Sequence, residues 1–337
     1  MSGRVYLDWN ATAPLRPEAR AAMAAAFDVT GNPSSVHAEG RAAKMLIERA
    51  REDIAAAVGC RAGEVIFTSG ATEAAGVLAG FAAVEVDPTA HDCLLAHALP
   101  GGGGVRALGL ANSETGVLAD VPQGPGVFLD VVQAVGRVPF AFGWSGADFA
   151  CLSAHKLGGP KGVGALIVRE GVEIASLRPG GGQEMGRRSG TENVAGIAGF
   201  AAAIRAAGRD LEAGLWDAVR TLRDRLEARL LEAAPGSIVA GADRPRLPNT
   251  TCLVTPGWKG ETQVMQMDLA GFAVSAGSAC SSGKVRPSRV LKAMGFDDGA
   301  AASAIRISIG PGVTEAELDR FAEVWSIHQA RFRARAA

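Results

Sequence analysis

The feature that most constrains this chain is a repeated pairing of a short apolar strand with a helical stretch. "EVIFTSG" (Glu64–Gly70) is β-rich and runs into an Ala-rich helical segment. "GVFLDV" (Gly126–Val131), "ADFACLSA" (Ala147–Ala154) and "GVGALIV" (Gly162–Val168) are near-continuous apolar runs of strand length. Strands of this kind separated by helices predict an α/β protein with a mostly parallel sheet. Ahead of them, "AEGRAAKMLIERAREDIAAAVG" (Ala38–Gly59) predicts a helix that ends at Gly59.

Beyond "GGGQEMGRRSGTENVAG" (Gly180–Gly196) the pattern changes. Leu215, Val219, Leu222, Leu226 and Leu230 recur at steps of three or four, so 215–233 predicts a long amphipathic helix. "NTTCLVTP", "AVSAG" and "AIRISIG" read as strands. "TEAELDRFAEVW" opens with a capping-box pattern, Thr314 with Glu317. The expected organisation is a large domain over 16–210 and a smaller α+β domain built from 1–15 and 211–337.

The formal charge is −1 over 337 residues. Near-neutrality argues against nucleic acid or a membrane surface as the main partner. No apolar stretch reaches the roughly 18 residues of a membrane helix, and the start lacks the apolar core of a signal peptide. The expected location is cytoplasmic. Five cysteines (Cys60, Cys93, Cys151, Cys252 and Cys280) are scattered and form no CxxC pair, so neither a disulfide framework nor a metal site is expected. The first four sit where a thiol behaves as a small hydrophobe or an inert group. Cys280 differs: it stands among Gly, Ser and Ala in "SAGSACSSGKVRPS".

"SAHKLGGPKGVG" places Ser153, His155 and Lys156 just past a predicted strand, and Asp130 ends another. Ligands of parallel α/β sheets bind at the carboxyl ends of strands. A lysine and an aspartate converging there suit pyridoxal phosphate (PLP): its aldehyde takes a lysine amine, and a carboxylate keeps its ring nitrogen protonated. On spacing alone, a surface lysine and a capping aspartate fit as well. "TSGATE" adds a strand running into a Gly-bearing turn with a helix starting near Thr72, where backbone N–H groups and a hydroxyl suit a phosphate.

"YLDWNATAP", "GNPSSVHAEG", "IFTSGATE", "ANSETGV", "LDVVQAVG", "SAHKLGGPKGVGAL", "GGGQEMGRRSGTENV", "SAGSACSS" and "IRISIG" follow one another in this order. Together they resemble the signature segments of cysteine desulfurases of the NifS/IscS type, which are class V, fold-type I PLP enzymes. The resemblance covers nearly the whole chain. It implies a large domain with a mostly parallel, seven-stranded-type sheet and a smaller α+β domain carrying the catalytic cysteine loop. The implied activity is PLP-dependent removal of sulfur from L-cysteine, giving L-alanine and a persulfide on Cys280. That sulfur then passes to an acceptor for iron–sulfur cluster or thio-cofactor synthesis. Selenocysteine lyase, another class V activity, and a catalytically weak homologue acting as a binding partner are the alternatives.

The resemblance also implies roles. Lys156 is the Schiff-base lysine, Asp130 pairs with the ring nitrogen, and Gln133 bonds the phenolic oxygen. Ala71, Thr72, Ser153 and His155 hold the phosphate. Thr191 reaches the phosphate of a neighbouring subunit, which implies a homodimer with shared sites. Asn112 lies near cofactor and substrate. Arg306 clamps the substrate carboxylate with its forked guanidinium, and Asn32 adds to that pocket. Alternation with Ile305 and Ile307 turns Arg306 to the opposite face of its strand. Cys280 is the nucleophile, on a segment of small residues suited to movement between the substrate and a scaffold or SufE-like acceptor.

The chain departs from the family pattern at Ser113, where a second asparagine is frequent, and at Met185, where an arginine is common. The stretch from Thr72 to Asp130 is shorter than usual. Within it His97 is read as the histidine that stacks on the PLP ring and moves protons, and Gly101–Gly104 as a turn replacing a lost helix and strand.

Overall fold

The computed structural model describes residues 3–122, 124–276 and 287–336. The chain forms two compact units. One comprises residues 12–111 and 119–213, the other residues 1–11, 112–118 and 214–337. Asn112–Leu118, inside the range expected for the large domain, packs with the second unit. There Leu118 N–H donates to the Pro245 carbonyl and Leu247 N–H to that of Gly116.

The chain opens with strand β1 (Val5–Tyr6), which belongs to the second unit, and then enters the larger one. In that unit follow α1 (Pro17–Phe27), α2 (Ala38–Val58), β2 (Val65–Thr68) and α3 (Ala71–Ala75). Next come β3 (Val84–Val86), α4 (Asp92–Leu95), β4 (Val105–Gly109) and β5 (Val127–Asp130). α5 (Phe142–Ser145), β6 (Phe149–Ser153), β7 (Gly164–Val168) and α6 (Val194–Glu212) complete it. The strands lie side by side in the order β2-β7-β6-β5-β4-β3, and only β7 runs against its neighbours.

This sheet has six strands among the described residues, one fewer than the expected seven-stranded type. The cause is the short span between β3 and β4: residues 87–104 hold only the one-turn helix α4 and the Gly101–Gly104 run. β2, β5, β6 and β7 carry the four apolar runs seen in the sequence. Every residue of β6 and β7 is buried, as an apolar run without alternation requires. One sheet face packs on α2 and α6 through Ile47, Ile54, Phe200 and Ile204, and the other on Leu78 and Leu94. α2 ends where the sequence placed its stop, with Gly59 in the left-handed region at φ 65°.

The second unit holds α7 (Leu215–Ala233), β8 (Ile238–Val239), β9 (Thr250–Val254), α8 (Gly260–Leu269), β10 (Phe272–Ala273) and β11 (Ser275–Ala276). It closes with α9 (Arg289–Ala293), α10 (Asp298–Ala301), β12 (Ala304–Ser308) and α11 (Glu315–Ala336). Its sheet runs β11-β12-β9-β8, and β1 pairs with β10. Trp258, buried in this unit, packs at a tilt on the buried Trp325 and stacks on the half-buried Phe332. The capping box forms: Thr314 N–H and hydroxyl both donate to Glu317.

Candidate active site

In the larger unit the sheet presents Asp130 and Ser153 at the carboxyl ends of neighbouring parallel strands. Lys156 follows in a one-turn 3₁₀ segment, Ala154–Lys156. Arg137 ties this turn to Gln133: its guanidinium donates to the Lys156 carbonyl at 2.9 Å and to Gln133 Oε1 at 2.6 Å. Gln133 is itself buried.

Asp130 accepts the Val132 N–H at 2.9 Å. Burial pushes its carboxyl above the ordinary value. The Val132 bond, the charges of His91 and Lys156, and a hydrogen bond with Cys151 all act in the opposite direction and do not cancel that push. A carboxyl in this state lacks a full-strength cation. A protonated ring nitrogen would supply one, so the residue fits pyridoxal phosphate on physical grounds. Burial, then the charge of Asp130, pushes the Cys151 thiol well up, which makes it an inert donor to that carboxylate.

His155 lies 3.2 Å (Nδ1) from the Thr12 hydroxyl. Burial lowers its pKa to about 4, helped by the charges of Lys156 and Lys161, so it is neutral at pH 7. Close backbone approach brings the β2–α3 turn to the end of β6. A Cβ on Gly164 would stand 2.7 Å from Gly70 Cα and 2.4 Å from the Leu152 carbonyl oxygen. Ser153 is thereby set beside the turn bearing Ala71 and Thr72. Glu73 closes this turn by accepting Ser69 N–H at 2.6 Å and Arg188 Nε–H at 3.0 Å. Thr191 is exposed, two residues ahead of the α6 cap Asn193. Asn32, also exposed, accepts the Ser34 N–H and so builds its own turn.

The structure brings His91, which the sequence reading passed over, into electrostatic reach of Asp130. His97, the residue expected to serve this region, follows α4 in a turn and is not among the groups acting on Asp130. His91 caps α4: its Nδ1 accepts the Cys93 N–H at 3.2 Å. The available signal was its position: a helix-capping residue just after the β3 strand, with Asp92 opening the helix.

In the second unit Arg306 sits in the middle of β12. It is 5% exposed, because β12 lies between β11 and β9 and all five of its residues are buried. The residue does alternate with Ile305 and Ile307, but its face of the strand is covered too. Its Nη2 donates to Asp8 Oδ1 at 2.7 Å and its Nη1 to the Ser113 carbonyl at 3.0 Å. Because Ser113 contributes its main chain, the departure from asparagine there leaves this contact intact. Asn112 accepts from Glu114 N–H, Thr115 N–H and the Thr115 hydroxyl, which shapes the 112–118 turn. Cys280 lies outside the described residues.

The chain matches the family "Aminotransferase class-V" over residues 5–96 and 105–321. It is 40% identical to a cysteine desulfurase of Cereibacter sphaeroides, across 95% of this chain and 94% of that protein. An IscS-like cysteine desulfurase of Mycobacterium tuberculosis is 36% identical across 97% of each.

The chain belongs to the cysteine desulfurase branch of the class-V aminotransferases.

Solved structures agree with this placement. A NifS-like protein superposes with a TM-score of 0.86 at 30% identity, covering 97% of this chain and 99% of the other. A NifS-like protein from Rickettsia africae gives 0.87 at 29% identity, covering 96% and 99%. Class-V aminotransferases work with pyridoxal phosphate, and cysteine desulfurases are generally dimeric. Among the described residues no helix is long and apolar enough to cross a membrane.

Proposed function

We propose that the protein is an L-cysteine desulfurase in which Cys280 receives the sulfur. L-cysteine and the Cys280 thiol give L-alanine and a Cys280 persulfide, a reaction balanced in atoms and electrons. The observation that carries this reading is the placement of Asp130 at the end of β5 and of Lys156 just past the end of the parallel neighbour β6, where the charges of His91 and Lys156 both act on Asp130.

When bound, pyridoxal phosphate supplies the electron sink that makes the substrate α-proton and the sulfur labile. Lys156 would hold it through its amine, Asp130 at the ring nitrogen and Gln133 at the phenolic oxygen. Ala71, Thr72, Ser153 and neutral His155 would hold the phosphate, with Thr191 reaching the phosphate of a second protomer. His91, rather than His97, would face the ring and hold a proton beside it, as its influence on Asp130 suggests. Lys156 and His91 hold and move protons at the α-carbon. Arg306 binds the substrate carboxylate, while Asn112 and Asn32 border substrate or cofactor. As a thiolate, Cys280 takes the sulfur and hands it to an acceptor protein of the scaffold or SufE-like kind.

The test is the purified yellow protein given L-cysteine. Alanine is released, and the chain gains the mass of one sulfur atom at Cys280. Cys280→Ser retains the yellow absorbance but forms no persulfide. Alanine release by Cys280→Ser at the wild-type rate refutes the assignment. Faster alanine release from selenocysteine, independent of Cys280, turns the reading to a selenocysteine lyase.

A further inference from the structure

We infer that Asp8 is a positioning residue for carboxylate recognition, acting through Arg306; the inference rests on the reading of Arg306 as the substrate-carboxylate site. Asp8 and Arg306 are 298 positions apart and meet because Asp8 follows β1 and bridges to Ser308 on β12. Main-chain bonds fix this approach: Trp9 N–H donates to the Ser308 carbonyl and Ser308 N–H to that of Leu7. Asp8 is held on both of its oxygens. Oδ1 accepts from Arg306 Nη2 at 2.7 Å, and Oδ2 accepts the Ser275 hydroxyl at 2.8 Å. Ser275 stands directly opposite Arg306 in the β11–β12 ladder.

The donor inventory of Arg306 assigns the role. A guanidinium carries five N–H groups in one plane. Asp8 takes one on Nη2 and the Ser113 carbonyl one on Nη1, which fixes both the plane and its rotation. Nε is buried and has no hydrogen-bond partner among the described residues. A buried donor left without a partner is costly, and its natural satisfaction is a ligand acceptor. Nε–H and the Nη2 hydrogen beside it form the side-on fork that a carboxylate fills with two parallel bonds. Asp8 leaves Nε–H to a ligand and holds the arginine so that this donor keeps one direction. The Asp8 charge also lets a guanidinium persist at 5% exposure before any substrate arrives.

The experiment compares two probes on the holoenzyme, followed by cofactor absorbance: L-alanine, which has a carboxylate, and L-alaninamide, which does not. In Asp8→Ala the preference for L-alanine falls by about tenfold, the loss expected when a charge-assisted fork is no longer aligned. Asp8→Asn keeps an acceptor for Nη2 and falls less. In both, KM for L-cysteine rises by more than kcat drops. A general structural defect would weaken both probes together and lower the thermal midpoint of the apoprotein in proportion. If Asp8→Ala does not fold, Asp8→Asn and Asp8→Glu carry the comparison. An unchanged preference in the Asp8 variants, with the preference lost in Arg306→Gln, overturns the inference and leaves Arg306 in place. A preference that survives Arg306→Gln overturns the reading of Arg306, and the role of Asp8 falls with it.

Discussion

Arg51 and Glu184, 133 positions apart, form a buried ion pair with two bonds: Nη1 to Oε2 at 2.7 Å and Nη2 to Oε1 at 2.9 Å. Glu184 Oε2 also accepts the Phe67 N–H, and Arg51 donates to the Val65 carbonyl, so the pair is stapled to β2 at its first and third residues. Glu184 and Met185 are the two non-glycine residues with positive φ among the described residues, at 49° and 58°. Such a backbone persists only where its surroundings over-determine it. The carboxylate held by Arg51 and β2 provides that constraint, and it sets the path of the segment that leads through Arg188 to Thr191.

Glu184→Ala should therefore cost about 2–4 kcal/mol of stability, because it leaves the buried Arg51 guanidinium with only the half-exposed Glu48 as counter-charge and releases a strained turn. Glu184→Gln keeps the shape and loses less. Urea denaturation of the apoprotein measures both. A loss below about 1 kcal/mol for Glu184→Ala contradicts the view of this pair as a buried anchor.

The proton-transfer histidine is decided by substituting both candidates. His91→Gln should reduce kcat by about a hundredfold while the cofactor stays bound, the typical loss for a removed acid–base group. His97→Gln should stay within about twofold of wild type, because His97 is not among the groups acting on Asp130. Steady-state alanine release from L-cysteine provides the comparison, and the reverse order restores His97 to the role.

These cases show which parts were legible in the sequence. β5 and β6 were readable because both faces are covered, so their apolar runs end at Asp130 and just before Lys156 without interruption. Gly59 marked its helix end because only a left-handed residue closes α2. The influence of His91 on Asp130 was not legible because the shortened span removes the spacing by which a histidine is located, and a one-turn helix has no periodicity to find. Arg51–Glu184 and Asp8–Arg306 left no local trace: each is set by strands that meet only after folding. The 112–118 turn was assigned by chain continuity, whereas its hydrogen bonds go to Pro245 and Leu247.

His155 gives the apoprotein a defined acid sensitivity. Its folded pKa is about 4 against 6.5 for the free side chain. Between those values the unfolded chain binds more protons, so stability falls as pH is lowered through this window and is unaffected by His155 above it. The shift corresponds to at most about 3 kcal/mol. His155→Asn should flatten the wild-type loss between pH 6.5 and 4 by up to that amount, read as the difference between two denaturation series. Parallel curves for the two proteins would mean that His155 titrates normally in the folded chain.

Thiol reactivity separates Cys280 from the other four cysteines without any assay of turnover. Cys93, Cys151 and Cys252 are buried. Burial pushes the Cys252 thiol up to about 12 and the Cys151 thiol well up. Cys60 is partly accessible, but burial and then the Glu64 charge raise it to about 12 as well. The thiolate is the reactive form, and a thiol with that pKa holds on the order of one part in ten thousand as thiolate at pH 8. Brief treatment of the native protein with iodoacetamide at pH 8 should thus add one label per chain, at Cys280, while Cys280→Ser takes up none. Under urea all five should react. Labelling of Cys60 in the native protein at a rate comparable to Cys280 would show that its surroundings do not suppress the thiolate, and the selectivity argued here would fail.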